Sequence, residues 1–140
     1  MHKLTGAFER QIDEKGRVAL PPTLRPRFAD GCYLTLGADN TIEVFTIDSF
    51  DAESDRMEAR QQAGEITRDQ LRAFSFQAIA VVPDGQGRIS LDARLRTHAR
   101  LDTKGPVMVC GLLDRLEICS LARYERSMTA GAAHYAEPSQ

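Results

Sequence analysis

The sequence predicts a mainly β fold with short helices, in which two related halves close one small barrel around a pseudo-twofold axis. Residues 13–17 read DEKGR and residues 84–88 read DGQGR, and the segments that follow also match. Equivalent residues of the two copies lie 71 positions apart, from the pair 13 and 84 through the pair 29 and 100. After a three-residue insertion in the second copy they lie 74 positions apart. About four short strands per copy cannot bury both faces alone, whereas two copies packed together remove free edges.

The first copy begins with two short strands joined by a tight turn. Asp13 can bond the backbone of this turn, and Gly16 accepts a positive φ. Prolines then suit the first turn of a short helix, and a hairpin follows. The predicted elements are a strand over 7–12, a turn over 13–16, a strand over 17–20, a helix over 21–25, strands over 32–36 and 41–45, and a hairpin turn over 37–40.

Two helices lead into the second copy, which repeats the plan of the first. We expect Asp48 or Ser49 to cap the first helix, Thr67 the second, and Asp92 a later short helix. The other predicted elements are helices over 47–64 and 67–74, strands over 77–82, 88–91, 107–110 and 116–119, a turn over 83–87, and a helix over 122–129. The chain therefore divides into 1–64, the first repeat with its following helix, and 65–140, the linker helix with the second repeat. These halves are expected to form one interlocked unit.

Apolar residues that recur at matched sites of the two copies predict the core. They are Leu20, Leu24, Leu91 and Leu95, to which we add Phe8, Phe45, Phe74 and Phe76. The three cysteines, Cys32, Cys110 and Cys119, form no CxxC and have no histidine at zinc-like spacing. Reduced, buried thiols are the favoured interpretation, with a disulfide or a metal site as the alternative.

Composition predicts a cytoplasmic protein outside the membrane. The hydrophobic content is 42% and the charged content 27%, values typical of a globular domain. No apolar run approaches the roughly 18 residues that span a bilayer, and the first residues contain no apolar stretch of a secretion signal. We expect no membrane partner.

The sequence lacks the motifs of an enzyme. It contains no GxSxG, HExxH or GxxxxGK[ST] pattern. Asp13 and Asp84 would form a protease-like dyad only if their carboxylates lay about 3 Å apart. The neighbouring cations Lys15, Arg17 and Arg88 favour ordinary ion pairs instead. We therefore predict no catalysis, no cofactor, no metal and no small-molecule substrate.

Charge is distributed unevenly, although the net charge is only −2. Residues 13–27 carry four basic and two acidic groups, and residues 84–104 carry five basic and three acidic groups. Residues 39–58 carry one basic and seven acidic groups. Within them, 48–58 are expected to form an acidic helical face, either solvated or in contact with a basic helix of another subunit, such as 67–72. Because local patches set the field that a polyanion meets, the repeated segments are candidates for nucleic-acid contact.

The basic residues of the two turns are the candidate DNA-binding residues. Arg17 and Arg88 suit bidentate contacts to phosphate or guanine, Lys15 suits a phosphate, and Arg25 lies on the basic helix that follows. Asp13, Asp84 and Gly87 are expected to form the turns. An alternative stays open, in which Arg17 pairs with Asp13 only to lock the turn.

The two phrases DEKGRVALP over 13–21 and DGQGRISL over 84–91 resemble the signature of the MraZ family. This family is a bacterial member of the AbrB-like swapped-hairpin group. The resemblance covers nearly the whole chain, and two such phrases in one chain are specific to this family in a way that one is not. Most AbrB-like proteins carry a single copy and dimerise to make the barrel.

The resemblance implies a fold, a function and an assembly. The fold is a double-split β-barrel with two copies per chain, and the assembly is a homo-oligomeric ring of about eight to twelve subunits. The function is a transcriptional regulator, mostly a repressor, that binds repeated G-rich promoter boxes of double-stranded DNA upstream of its own gene. That gene lies in the division and cell-wall cluster, so the protein is expected at the nucleoid. The family's DNA contacts carry over to Lys15, Gly16, Arg17 and Arg88.

Two features qualify the resemblance. The second turn has Gln86 where the first has Lys15, so we expect the first turn to dominate DNA contact and the second to be more structural or to face a neighbour. Single-copy relatives of this fold include antitoxins that grip a toxin through a C-terminal extension. A non-catalytic protein-interaction or antitoxin-like module is therefore the alternative function, although the short, plain tail disfavours it.

Overall fold

A computed structural model describes residues 2–136 and 138, and the predicted mainly β fold with short helices is confirmed. Within these residues the chain forms eight strands, four α-helices and one short 3-10 helix. The strands are β1 Ala7–Gln11, β2 Arg17–Ala19, β3 Cys32–Gly37, β4 Thr41–Thr46, β5 Ile79–Val81, β6 Arg88–Ser90, β7 Pro106–Gly111 and β8 Arg115–Cys119. The helices are the 3-10 helix Arg25–Arg27, α1 Ile47–Gln62, α2 Arg68–Gln77, α3 Ala93–Ala99 and α4 Leu121–Ala132.

The strands form a six-stranded antiparallel sheet in the order β1-β7-β8-β4-β3-β5, and β2 pairs with β6 as a separate ribbon. Strands cross between the two copies, since β1 pairs with β7 and β5 pairs with β3. The copies also meet along β4 and β8 at the centre of the sheet. Every pairing between the copies therefore has its counterpart in the other half.

The register places equivalent residues of the repeat opposite each other. Val18 faces Ile89 in the ribbon, and Glu43 faces Glu117 in the sheet. These are the pairs that the 71- and 74-residue spacings align. A pseudo-twofold axis therefore passes through the middle of both pairs.

The expectation that the halves close one barrel without free edges is wrong among the described residues. The sheet ends at β1 on one side and at β5 on the other. The reason lies in β2 and β6, which are only three residues long and bond to each other. They lie as a ribbon instead of continuing the sheet from β1 to β5.

The core lies between the sheet and the ribbon. Three of the predicted leucines, Leu20, Leu91 and Leu95, are fully buried, and Leu24 packs partly buried against them. Phe45 is buried as predicted, and Phe74 stacks on Phe50. The matched leucines are therefore confirmed as core, but Phe76 is 80% exposed near the end of α2, so its assignment to the core was wrong.

Helix starts differ locally from the prediction. The hydroxyl of Thr46, not Asp48 or Ser49, caps α1 by accepting a hydrogen bond from the Ser49 amide at 3.0 Å. Thr67 caps α2 as predicted and forms a capping box. The expected helix over 21–25 is instead a turn, and a 3-10 helix begins only at Arg25. Gln77 is the last residue of α2 and not the first of a strand, so β5 begins at Ile79, and the Gln77 side chain accepts a hydrogen bond from the Leu36 amide.

The three cysteines carry free thiols, and Cys32 and Cys119 are buried while Cys110 is half-buried. Burial raises the pKa of Cys32 to about 12, so this thiol stays protonated at neutral pH. Among residues 2–136 and 138, no three His, Cys, Asp or Glu side chains gather as a metal site would require. No helix in this part of the chain combines the length and the apolar character that a membrane span needs.

One arginine joins three carboxylates beside the central strands. Arg115 donates to Glu43 at 2.7 Å, to Glu53 at 2.5 Å and to Asp114 at 2.9 Å. Its guanidinium also lies 4.5 Å from the centre of the Phe45 ring. Its side chain is only 17% exposed, so this cation offsets a cluster of partly desolvated negative charge.

We expect Arg115→Ala to be among the more destabilising single changes in the sheet. It should lower the free energy of unfolding by about 2 kcal/mol, less than the ~3–5 kcal/mol of a fully buried pair because the group retains some solvent. Urea unfolding measures this as a lower midpoint. Arg72→Ala is the matched control, since its ion pair with Asp69 is exposed and should contribute less than about 1 kcal/mol. Equal stability of the two variants would contradict the prediction.

Candidate nucleic-acid interface

The first turn is held by the side chain of Asp13. One carboxylate oxygen accepts hydrogen bonds from the Lys15 amide at 2.9 Å and the Arg17 amide at 2.8 Å. The other oxygen accepts from Nε of Arg17 at 2.8 Å. The amide of Gly16 donates to the Asp13 carbonyl at 3.0 Å, and Gly16 takes a φ of +81°. Aspartate at the first position and glycine at the fourth are therefore both needed.

The second turn repeats these bonds one for one. Asp84 accepts from the Gln86 and Arg88 amides, each at 2.9 Å, and from Nε of Arg88 at 2.7 Å. The Gly87 amide donates to the Asp84 carbonyl at 2.9 Å, and Gly87 takes a φ of +73°. The duplicated phrase thus encodes a duplicated geometry.

These donors hold both carboxylates in the charged form. The amide of Arg88 has the largest effect in lowering the pKa of Asp84 to about 2. The amide of Arg17 likewise lowers the pKa of Asp13, with its side chain adding to the effect. Neither aspartate therefore has the raised pKa of a proton-sharing dyad.

The depressed pKa of Asp84 sets a testable pH dependence. Because the folded value lies below the ordinary value of about 3.9, the stability from this carboxylate is present above that value and is lost as the pH falls toward 2. NMR titration of the Asp84 carboxyl should give a midpoint near 2. In Arg88→Ala the backbone amide remains, so the midpoint should rise only part of the way. A wild-type midpoint at the ordinary value would contradict this.

The ribbon places the arginines of both turns on one outer face. In its register Arg17 faces Ser90 and Arg88 faces Ala19, so the two arginines are diagonal neighbours. Val18 and Ile89 between them are buried on the opposite face. A two-stranded ribbon of this kind is narrow enough for the major groove of B-DNA.

The candidate side chains differ in solvent exposure and in how many of their donors already have a protein partner. Lys15 and Gln86 are exposed at their turns. Arg17 and Arg88 are each 28% exposed in the side chain and use Nε for the aspartate. The turn-locking interpretation of Arg17 is therefore correct for Nε, and among the described residues the two terminal nitrogens have no protein partner. One arginine can lock its turn and still present donors to an anion.

Arg25 contacts the turn of the other half. Its Nε donates to the Leu20 carbonyl at 2.7 Å, and its guanidinium lies against Gly87 of the other half. The equivalent residue Arg96 donates to the Leu91 carbonyl and lies against Gly16. Arg96 was not among the predicted site residues, although the match of Leu24-Arg25 with Leu95-Arg96 in the repeat could have indicated it.

The exchanged strands and the two equivalent turns on a shared ribbon define a two-copy, pseudo-twofold β protein of the swapped-hairpin type. The model of the family described as "MraZ protein, putative antitoxin-like" matches residues 4–72 and 74–137. This chain belongs to the MraZ family, as the turn phrases predict.

Relatives align over nearly all of the chain, and each is named transcriptional regulator MraZ. The protein of Clavibacter michiganensis subsp. michiganensis is 34% identical over 96% of this chain and 93% of its own length. The protein of Nocardioides sp. is 36% identical over 94% of this chain and 90% of its own length. The protein of Saccharopolyspora erythraea is 34% identical over 94% of this chain and 91% of its own length. These names describe a regulator and not an enzyme, in agreement with the predicted absence of catalysis.

Proposed function

We propose that this protein is a sequence-specific DNA-binding transcriptional regulator whose β2–β6 ribbon contacts double-stranded DNA. The observation that carries the proposal is the placement of Arg17 and Arg88 on one outer face of that ribbon. Lys15 adds an exposed cation at the first turn, Gly16 supplies the positive φ that shapes this turn, and Arg25 lies against Gly87 of the second turn. The names of the relatives support the same function.

The proposed target is a set of repeated boxes in the promoter upstream of the protein's own gene, in the division and cell-wall cluster. The proposed effect is repression, with the protein at the nucleoid in the cytoplasm. An arginine fork matches the acceptors on the major-groove edge of guanine. This chemistry fits G-rich boxes.

We further propose that copies assemble into a ring, which supplies the affinity that one chain lacks. One turn with a lysine and an arginine neutralises few phosphates, so a single chain should bind weakly. Several turns on one ring can engage several boxes of one duplex. The groove between α1 and α2, with Phe50, Phe74 and the exposed Phe76, offers an apolar surface for a second copy.

A footprint on the DNA upstream of the gene tests the function. We expect protected, regularly repeated boxes at protein concentrations that leave flanking DNA open to cleavage. A reporter driven by the same promoter should give higher expression when the gene is deleted. Uniform or absent protection would overturn the proposed function, and lower expression would overturn repression.

A protein-interaction or antitoxin-like module is the second candidate function. The description of the family includes an antitoxin-like role, and the same aromatic groove of about 400 Å³ could hold an apolar side chain of a partner. Footprinting of the wild type and of Phe76→Ser separates the two candidates. If the protein is a partner-binding module, Phe76→Ser loses the partner, and neither the wild type nor the variant protects the promoter. If it is a regulator, the wild type protects the promoter.

A further inference from the structure

Each turn glycine lies against an arginine of the opposite half. A side chain built at Gly16 would collide with the guanidinium of Arg96 on α3. A side chain built at Gly87 would collide with Arg25 at the start of the 3-10 helix. The same contact thus occurs twice, once on each side of the pseudo-twofold axis.

Each arginine is joined to that glycine through one leucine, by a side-chain hydrogen bond to the leucine carbonyl and a backbone hydrogen bond from the leucine amide. The Leu91 amide donates to the Gly16 carbonyl at 2.9 Å, and the carbonyl of Leu91 accepts from Arg96. The second set is equivalent, with Leu20 between Gly87 and Arg25 at distances of 2.9 and 2.7 Å. An arginine that holds its leucine therefore also fixes the turn of the other half.

We propose that Arg96 and Arg25 are positioning residues for DNA binding, which hold the first and the second turn respectively. We call the two sets together the crossed arginine clamp: Arg96, Leu91 and Gly16, with Arg25, Leu20 and Gly87. The arginines act through the turn glycines and not by meeting the DNA. This inference rests on the proposed function.

The two arginines of the clamp should differ in how much they affect DNA binding. The first turn carries Lys15 where the second has Gln86, and its clamp comes from the second copy. The second copy therefore contributes to DNA binding through Arg96 even where its own turn contacts DNA less. Loss of Arg96 should weaken DNA binding more than loss of Arg25.

Amide hydrogen exchange tests the clamp without any DNA. In Arg96→Ala the amides of Gly16 and Leu91 should exchange faster, while the Leu20 amide keeps the wild-type rate. Arg25→Ala should give the reverse pattern. Each variant is the control for the other. Unchanged exchange in both, or equal acceleration at both turns in each, would overturn the clamp.

Fluorescence anisotropy with the promoter duplex tests whether the clamp serves DNA binding. Arg96→Ala should weaken binding by about tenfold, the equivalent of about 1.4 kcal/mol. The dependence on salt should keep its slope, because no phosphate contact is removed. Arg96→Lys keeps the charge without the guanidinium geometry, so it should show the same loss and also serves if the alanine variant folds poorly.

Three results would overturn the positioning role. The first is a salt slope smaller by about 0.9 in Arg96→Ala, which marks one lost phosphate contact, and the second is full wild-type affinity in Arg96→Lys. The third is unchanged affinity in Arg96→Ala when Arg17→Ala binds the same duplex poorly. In an Arg17→Ala background the Arg96 change should add little, since both act at one turn. If exchange changes as expected but the wild type prefers no promoter, the clamp stands and the proposed function fails.

Discussion

Arg17→Ala is expected to abolish most of the preference for promoter DNA while leaving the fold intact. A good contact between arginine and a base is worth about 1–3 kcal/mol, so each turn engaged should lose about 5- to 150-fold in affinity. In the proposed ring, the loss should multiply over the turns that contact the same duplex. Thermal stability should change little, because Asp13 keeps its bonds to the Lys15 and Arg17 amides.

Anisotropy titration of promoter and scrambled duplexes, with a thermal melt of each variant, measures this effect. Arg10→Ala is the matched control, since Arg10 lies on β1 outside the turns and the one hydrogen bond described for its side chain goes to the adjacent Glu9 carbonyl. An Arg17→Ala variant that melts earlier but keeps its sequence preference would show that Arg17 only locks the turn.

The number of promoter boxes should change affinity as strongly as any substitution. Reducing the promoter to one box is expected to weaken binding by roughly 10²–10⁴-fold, because later contacts are intramolecular only when a ring spans several boxes. Titration of duplexes of equal length with one box or all boxes measures this ratio.

Phe76→Glu provides the control for assembly. Phe76 is 80% exposed, so the change should leave the fold intact while placing a charge in the proposed contact between copies. Sedimentation should show smaller species, and the advantage of several boxes should disappear. A wild-type protein that binds one box as tightly as several would contradict the multivalent mechanism.

The turns were predictable from sequence because their chemistry is local. An aspartate that accepts backbone amides and a glycine with positive φ act within five residues, and both recur in the second copy. The repeat spacing likewise identified the equivalent residues of the two copies, and the structure adds that some of them, such as Glu43 and Glu117, face each other across the strands. The matched leucines followed from the same spacing.

The remaining features depend on contacts between distant segments. The sheet stays open because β2 and β6 bond to each other, which no pattern within one copy reveals. Arg96 reaches a glycine 80 positions away in the chain, so only the folded arrangement shows it as part of the first turn. Phe76 has the apolar character of a core residue, but the end of α2 turns it outward.

Sequence-dependent binding of promoter DNA through the β2–β6 ribbon can be measured by anisotropy titration of the full-length protein. The two probes are its own upstream promoter and a scrambled duplex of equal length, each at two salt concentrations. We expect tighter binding to the promoter and a steep loss of affinity at higher salt. Absent binding, or equal weak binding to both duplexes, would contradict it.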